Sequence, residues 1–212
     1  MSYGNIILLI QQKLLGRKNK MNIGIDIDGV LMDDDTYRLD TIAKYCYENN
    51  LGTLENPYKF EDKCNWSEEI KEDYRKKYYF EYIKNMPARM FASEVIKKLH
   101  NEGNKIIIIT GRYKTQEDSE IGRKMRNDTV NWLNNNKIIY DEICYAHCPK
   151  TKEIQEKNID VMIDDSPENI KEIVKYTKVL CFDNRYNTNI QYDNMIRVFS
   201  WYDVYRKLNI TM

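Results

Sequence analysis

The 212-residue chain has no run of about 18 consecutive apolar residues, so no transmembrane helix is expected. It has no excess of charge either. Lys and Arg total 33, Asp and Glu total 33, and the formal net charge is zero. That balance gives no support to sequence-independent binding of a nucleic-acid polymer, although a local site could still take a nucleotide-sized ligand. Cysteines are few, odd in number at five, and irregularly spaced. With no signal peptide, they read as reduced thiols of a cytoplasmic protein. Cys144, His147 and Cys148 lie close together, but their spacing fits no zinc motif. Internal repeats and low-complexity tracts are also lacking.

What is present is ordinary for a globular chain. Hydrophobic residues make up 42% and charged residues 31%, which excludes a long disordered tail and a fibrous chain. The length suits one α/β domain with a small insert. At the start, Ile6-Ile7-Leu8-Leu9-Ile10, Leu14 and Leu15 precede the basic stretch Arg17-Lys18-Asn19-Lys20. This order is the reverse of a signal peptide, and no small-residue cleavage site follows. The spacing predicts an amphipathic extension over residues 1–20. It would pack on its own domain or on a sister subunit, in a homodimer, or lie on a membrane surface.

From residue 21 the pattern alternates. Strands are predicted over Asn22–Ile27, Lys105–Ile109, Asp141–Ala146, Asp160–Ile163, Lys178–Phe182 and Ile196–Ser200. Helices are predicted over Tyr37–Asn49, Glu68–Lys84, Ala88–Asn101, Ser119–Asn135, Thr151–Lys157, Pro167–Tyr176 and at the C-terminus. Alternation of this kind implies a Rossmann-like, doubly wound parallel sheet. Residues 33–87 break it, because they hold helices and loops but no convincing strand, and ordinary crossovers are far shorter. They are read as a small helical cap inserted after the first strand, with residues 21–32 and 88–212 forming the core. Tyr78, Tyr79 and Tyr82 are expected to face the cap interior.

Ligands of open α/β sheets bind at the carboxyl ends of the strands. Here those ends carry Asp26-Ile27-Asp28-Gly29, Thr110-Gly111-Arg112 and Asp164-Asp165. Four carboxylates at one sheet edge repel one another and lose hydration. A hard divalent cation with oxygen ligands resolves the conflict, and Mg²⁺ would leave room for substrate phosphate. Asp26, at the strand end, can face the metal and attack phosphorus. Gly29 permits a turn, so that Asp28 can reach the leaving-group oxygen and supply a proton. Arg112 is expected either to contact substrate or to pair with an acid at the sheet edge.

These motifs, in this order, resemble the four motifs of the haloacid dehalogenase (HAD) superfamily: Asp26-x-Asp28-Gly29-Val30, Thr110-Gly111-Arg112, a lysine at a helix start, and Ile163-Asp164-Asp165-Ser166-Pro167. The resemblance implies Mg²⁺-dependent phosphoryl transfer through an aspartyl-phosphate. It implies that Asp26 is nucleophile and metal ligand, and that Asp28 is acid–base and a ligand through its backbone carbonyl. Thr110 and the Gly111 amide would hold the phosphoryl group. Asp165 would bind metal, with Asp164 supporting it. The family needs one ammonium beside the phosphoryl oxygens. Spacing to Asp165 favours Lys152, with Lys150 the alternative.

Within the superfamily, the cap position and the stretch Val179–Asn187 resemble the 5′(3′)-deoxyribonucleotidase-like group. Trp66, near Phe60 and Asp62, is a candidate to stack on a base, or else a core aromatic of the cap. The expected activity is hydrolysis of a small phosphorylated metabolite, nucleoside monophosphates first. The alternative is a sugar phosphate or another small metabolite phosphate. A non-catalytic HAD-like binding module, meeting a partner through the N-terminal helix, is a third reading; the intact set of acids, Thr110 and lysine argues against it.

Overall fold

The computed structural model describes residues 20–52 and 66–210. The reading of an N-terminal extension falls almost wholly outside the described residues, as do Phe60 and Asp62. Six parallel strands form one sheet: β1 (Asn22–Ile25), β2 (Lys105–Thr110), β3 (Glu142–Tyr145), β4 (Val161–Asp164), β5 (Lys178–Phe182) and β6 (Met195–Val198). Their order is β3-β2-β1-β4-β5-β6. The order reverses direction on either side of β1, which makes the β1/β4 junction the topological switch point where such sheets leave a crevice.

Strands β1, β2, β4 and β5 are largely apolar and buried, as a sheet covered on two faces requires, whereas β3 at the edge is half-buried. On one face Ile23, Ile25, Ile106, Ile108, Ile163 and Leu180 share a core with helices α4 (Ala92–Asn101), α5 (Glu120–Asn135) and α8 (Trp201–Ile210). On the other, Ile107, Ile109, Met162 and Val179 pack with α6 (Thr151–Glu156) and α7 (Pro167–Ile173). Ser119 and Ser166 cap α5 and α7, each hydroxyl accepting a backbone N–H inside the first turn. Among the described residues, no helix is long and apolar enough to cross a membrane.

Between β1 and α4 the described chain is helical. Helix α1 (Asp35–Asn49) is followed by α2 (Glu68–Tyr74), a π-helical turn at Arg75–Tyr79, and α3 (Phe80–Asn85). The predicted continuous helix over Glu68–Lys84 is thus two short α-helices joined by a π-turn. An antiparallel bridge between Met32 and Ala88 ties together the points where the chain leaves and rejoins the sheet domain. The Arg89 amide adds a 2.7 Å bond to the Leu31 carbonyl there. The helical segment has its own small core of Ile42, Tyr45, Cys46, Trp66 and Tyr74.

Candidate active site

Asp26 follows β1 directly, and its amide still donates to the Ile163 carbonyl at 3.0 Å, so the ladder carries its carboxylate to the switch point. Asp164 ends the neighbouring β4, and Asp165 follows it. Ligand atoms of Asp26, Asp164 and Asp165 all lie within 4.8 Å of one another. All three residues are buried. Burial, and next the nearby Asp164, push the Asp26 carboxyl up to about 7, against the pull of the Lys150 ammonium. Burial, Asp164 and Asp26 push Asp165 well above the usual carboxylate range. Three buried carboxylates, two of which resist ionisation where they stand, form an all-oxygen donor set whose charge a hard divalent cation would relieve. The residues therefore fit Mg²⁺.

One cation of the chain does reach this cluster. Lys150 Nζ lies 2.8 Å from Asp26 Oδ2 and 2.8 Å from Asp164 Oδ2. Its side chain is 1% exposed. Burial works against the charge, but the two carboxylates outweigh it and raise the ammonium above its ordinary value. The structure does not bring Lys152 to the cluster. That side chain is 75% exposed and lies 4.0 Å from Glu156 on its own helix. The difference is one of helix geometry. Lys150 is the residue just before α6 and points back across the strand ends, whereas Lys152 lies within the first turn and faces outward.

Asp28 is held apart from the other acids. Arg112 grips it with two N–H groups, Nε to Oδ2 at 3.0 Å and Nη2 to Oδ1 at 2.9 Å. Tyr82, from the helical segment, donates to Oδ1 at 3.2 Å. Burial pushes the Asp28 carboxyl up, but the Arg112 guanidinium outweighs it, and the net position is below the usual range. Arg112 is itself fully buried, donates to Thr129 at 3.4 Å and lies over the Trp132 ring. Of its two expected roles, the structure places it in the pairing one.

The turn between the acids depends on Gly29, whose φ is +76°. A Cβ there would stand 1.9 Å from Asp165 Oδ2 and 2.7 Å from the Tyr186 hydroxyl. Only glycine fits both the conformation and the space. The Gly29 carbonyl accepts from Arg89 Nη2 at 3.2 Å and from Asn184 Nδ2 at 3.0 Å. Asn184 also donates to Asp165 Oδ2 at 3.3 Å, Asn187 donates to the Asp165 carbonyl at 2.8 Å, and the Tyr186 hydroxyl donates to Asp165 Oδ2. The stretch Val179–Asn187 thus reaches the site through Asn184, Tyr186 and Asn187. Arg89 and Tyr82 had no local signal, because each meets its partner across more than fifty residues of chain.

Thr110 ends β2, and its hydroxyl is buried with no hydrogen-bond partner among the described residues. A buried hydroxyl left without a partner costs about 1–3 kcal/mol, and this one stands at the end of β2, the strand beside β1. Gly111 follows, and a Cβ on it would meet Cys148 Sγ at 2.9 Å. Trp66 is not among these residues. It packs in the helical segment's own core, its ring 5.3 Å from that of Tyr45 and 5.5 Å from that of Tyr74.

Known proteins resemble this chain over most of its length. The model of the family described as 5′ nucleotidase, deoxy (pyrimidine), cytosolic type C protein matches residues 19–211. The chain is 30% identical over 195 residues to a protein of Chlorobaculum tepidum named "Putative 5′(3′)-deoxyribonucleotidase", covering 89% of this chain and 90% of that one. It is 27% identical to a nucleotidase of Clostridium acetobutylicum, covering 88% and 92%. Among solved structures, a haloacid dehalogenase-like family hydrolase of Streptococcus pneumoniae shares the fold with a TM-score of 0.63 at 14% identity, over 87% of this chain and 96% of that one.

Proposed function

The chain belongs to the family of 5′ nucleotidase, deoxy (pyrimidine), cytosolic type C proteins and is a hydrolase of the HAD type, and from that premise we propose that it is a Mg²⁺-dependent phosphomonoesterase acting on nucleoside monophosphates through an aspartyl-phosphate. The observation that carries the reading is the approach of Lys150 Nζ to Asp26 Oδ2 at 2.8 Å, at the switch point of the sheet. An ammonium so placed lowers the repulsion between an attacking carboxylate and a phosphoryl dianion.

Asp26 and Asp165 would hold Mg²⁺, with Asp28 adding its backbone carbonyl; a cation bound there offsets the charge on the phosphoryl oxygens. Asp164 is taken up by Lys150, the Ser166 amide at 3.0 Å and Asn169, which suits it to orienting the lysine. The orphan Thr110 hydroxyl and the Gly111 amide receive the phosphoryl oxygens. Asp26 attacks phosphorus, the P–O bond to the leaving group breaks, and Asp28 gives that oxygen its proton. Water then attacks the aspartyl-phosphate, Asp28 takes the proton of the water, and the bond from phosphorus to Asp26 breaks to release phosphate.

Arg112 holds Asp28 ionised, which readies it as the base of the second half. The proton for the first half enters on the substrate, since a phosphomonoester takes its last proton near pH 6; it passes from the phosphoryl oxygen to Asp28, which hands it to the leaving oxygen. The helical segment over 33–87 serves as the cap that closes over the leaving group and excludes water. The nucleoside monophosphate reading draws on the name of the Chlorobaculum tepidum relative. It is tested by measuring release of phosphate, with Mg²⁺ and with chelator, from a panel of ribo- and deoxyribonucleoside monophosphates and sugar phosphates. Deoxynucleoside monophosphates are expected to lead and chelator to abolish turnover. Preference for a sugar phosphate would move the substrate class and leave the chemistry in place.

A further inference from the structure

Neither Asp34 nor Arg38 has a part in the chemistry above, yet both stand at the site. Asp34 is buried, its side chain 4% exposed, and Arg38 Nη1 lies 3.1 Å from its Oδ2. The first turn of α1, which carries the pair, is anchored at both ends of the acid cluster. Asp35 accepts from Arg185, the neighbour of Tyr186, whose hydroxyl bonds Asp165. Tyr37 packs its ring 5.4 Å from that of Tyr82, whose hydroxyl bonds Asp28. The charge of Arg38 is felt at the same two ends. Burial pushes Asp28 up, and Arg112 and then Arg38 pull it down. Burial and nearby carboxylates raise Tyr82 and Tyr186, and Arg38 pulls both back.

Lys150, Thr110 and the clustered carboxylates take the phosphoryl end of the site, and Asp28 marks the side of the leaving-group oxygen. Arg38 acts on Asp28 from the helical segment, so the part of a substrate that it meets is the leaving group beyond that oxygen. A guanidinium has only donors to offer, and its partner must therefore supply acceptor atoms. Asp34 holds one edge of the fork in place, which reduces the ordering cost when a ligand takes another edge. We propose that Arg38 is a specificity-determining residue: braced by Asp34, it donates to an acceptor oxygen of the leaving group, a base carbonyl or a sugar hydroxyl, and so selects nucleoside monophosphates over phosphate esters of plain alcohols. This inference rests on the phosphomonoesterase reading given above.

The test compares Asp34→Asn with the double variant Asp34→Asn, Arg38→Met, so that no buried carboxylate is left without its partner. kcat/KM is measured with Mg²⁺ for deoxyuridine 5′-monophosphate, 2-deoxyribose 5-phosphate and butyl phosphate. All three release an alkoxide and so ask the same of Asp28, but butanol carries no further acceptor. Loss of a hydrogen bond from a charged donor is expected to cost the nucleotide about tenfold or more, while butyl phosphate should change by less than about twofold. An equal loss for 2-deoxyribose 5-phosphate places the contact on the sugar, and sparing of that ester places it on the base. In the Asp26→Asn background, which should not turn over, the Kd of each ester measured by calorimetry should follow the same order. Arg38→Lys, which keeps a cation beside Asp34, should rank the esters in the same way with a smaller loss.

Equal loss across all three esters would show that Arg38 acts through the charge on Asp28 and not on the leaving group. No loss for the nucleotide would remove it from substrate recognition. Either result overturns the proposal and leaves the phosphatase chemistry in place. A wild-type protein that releases phosphate from none of the three would overturn the phosphomonoesterase reading, and the proposal with it.

Discussion

Lys150 divides one ammonium between Asp26 and Asp164, 2.8 Å from a carboxylate oxygen of each, and its side chain is almost wholly buried. A single cation therefore links the ends of two adjacent strands and sets the charge beside the residue assigned as nucleophile. Removing it should do more than stop turnover.

Lys150→Met leaves two buried carboxylates without their partner. Loss of one member of a buried pair costs about 3–5 kcal/mol. The loss should be greatest at pH 8 and smaller at pH 5, where the Asp26 carboxyl can take up a proton. Lys152→Met touches only an exposed pair and should change stability by less than about 0.5 kcal/mol. Denaturant unfolding of both variants at the two pH values checks the contrast. Equal effects would show that the two lysines were placed wrongly.

Asp26 carries a pH signature. Its carboxyl ionises near 3.8 when unfolded and near 7 in the folded, metal-free protein. Between those values the folded state holds the proton more tightly. Its contribution to stability is therefore largest below the lower value and declines as pH rises toward the higher one. Asp26→Asn removes that decline. In chelator, the variant should melt above wild type at pH 8, and the gap should close toward pH 4. A thermal melt series checks it; a variant less stable than wild type at pH 8 would contradict the placement of Asp26.

Metal affinity should separate the neighbouring acids. Asp164 is occupied by Lys150 and the Ser166 amide, whereas the partners of Asp165 are neutral donors. Asp165→Ala is expected to weaken Mg²⁺ binding more than Asp164→Ala does, as read by calorimetric titration. The reverse ranking would exchange their roles.

Trp66→Ala should act through folding. The ring is buried among Tyr45, Tyr74 and Ile42. Its truncation is expected to cost about 3 kcal/mol or more in unfolding experiments. Any loss of kcat/KM should be in equal proportion for a nucleotide and for a small aryl phosphate. A loss confined to the nucleotide would restore base stacking to Trp66.

Much of this site was legible because its residues lie at strand ends. A run such as Lys105–Thr110 announces a buried parallel strand, and the alternation sends Asp26, Thr110 and Asp164 to one edge without knowledge of any contact. Lys150 and Lys152 could not be told apart in that way, because the choice turns on which residue precedes α6, and helix boundaries are the least certain feature of a sequence. Trp66 had two expected roles, base stacking and the core of the cap, and residue type alone could not choose between them, because the aromatic neighbours that bury it lie on two other helical stretches. Tyr82 meets Asp28 across 54 residues of chain, seated by the packing of α3 in the sheet domain's core, and a contact that distant has no composition signature.

The claim on which the account depends is that Asp26 carries the phosphoryl group. Turnover with a nucleoside monophosphate and Mg²⁺, quenched in acid during the steady state and followed by peptide mass mapping, tests it directly. One phosphoryl group on the peptide that contains Asp26, absent from Asp26→Asn, is the expected result. Full turnover by Asp26→Asn, or a phosphoryl group trapped on a different residue, would contradict it.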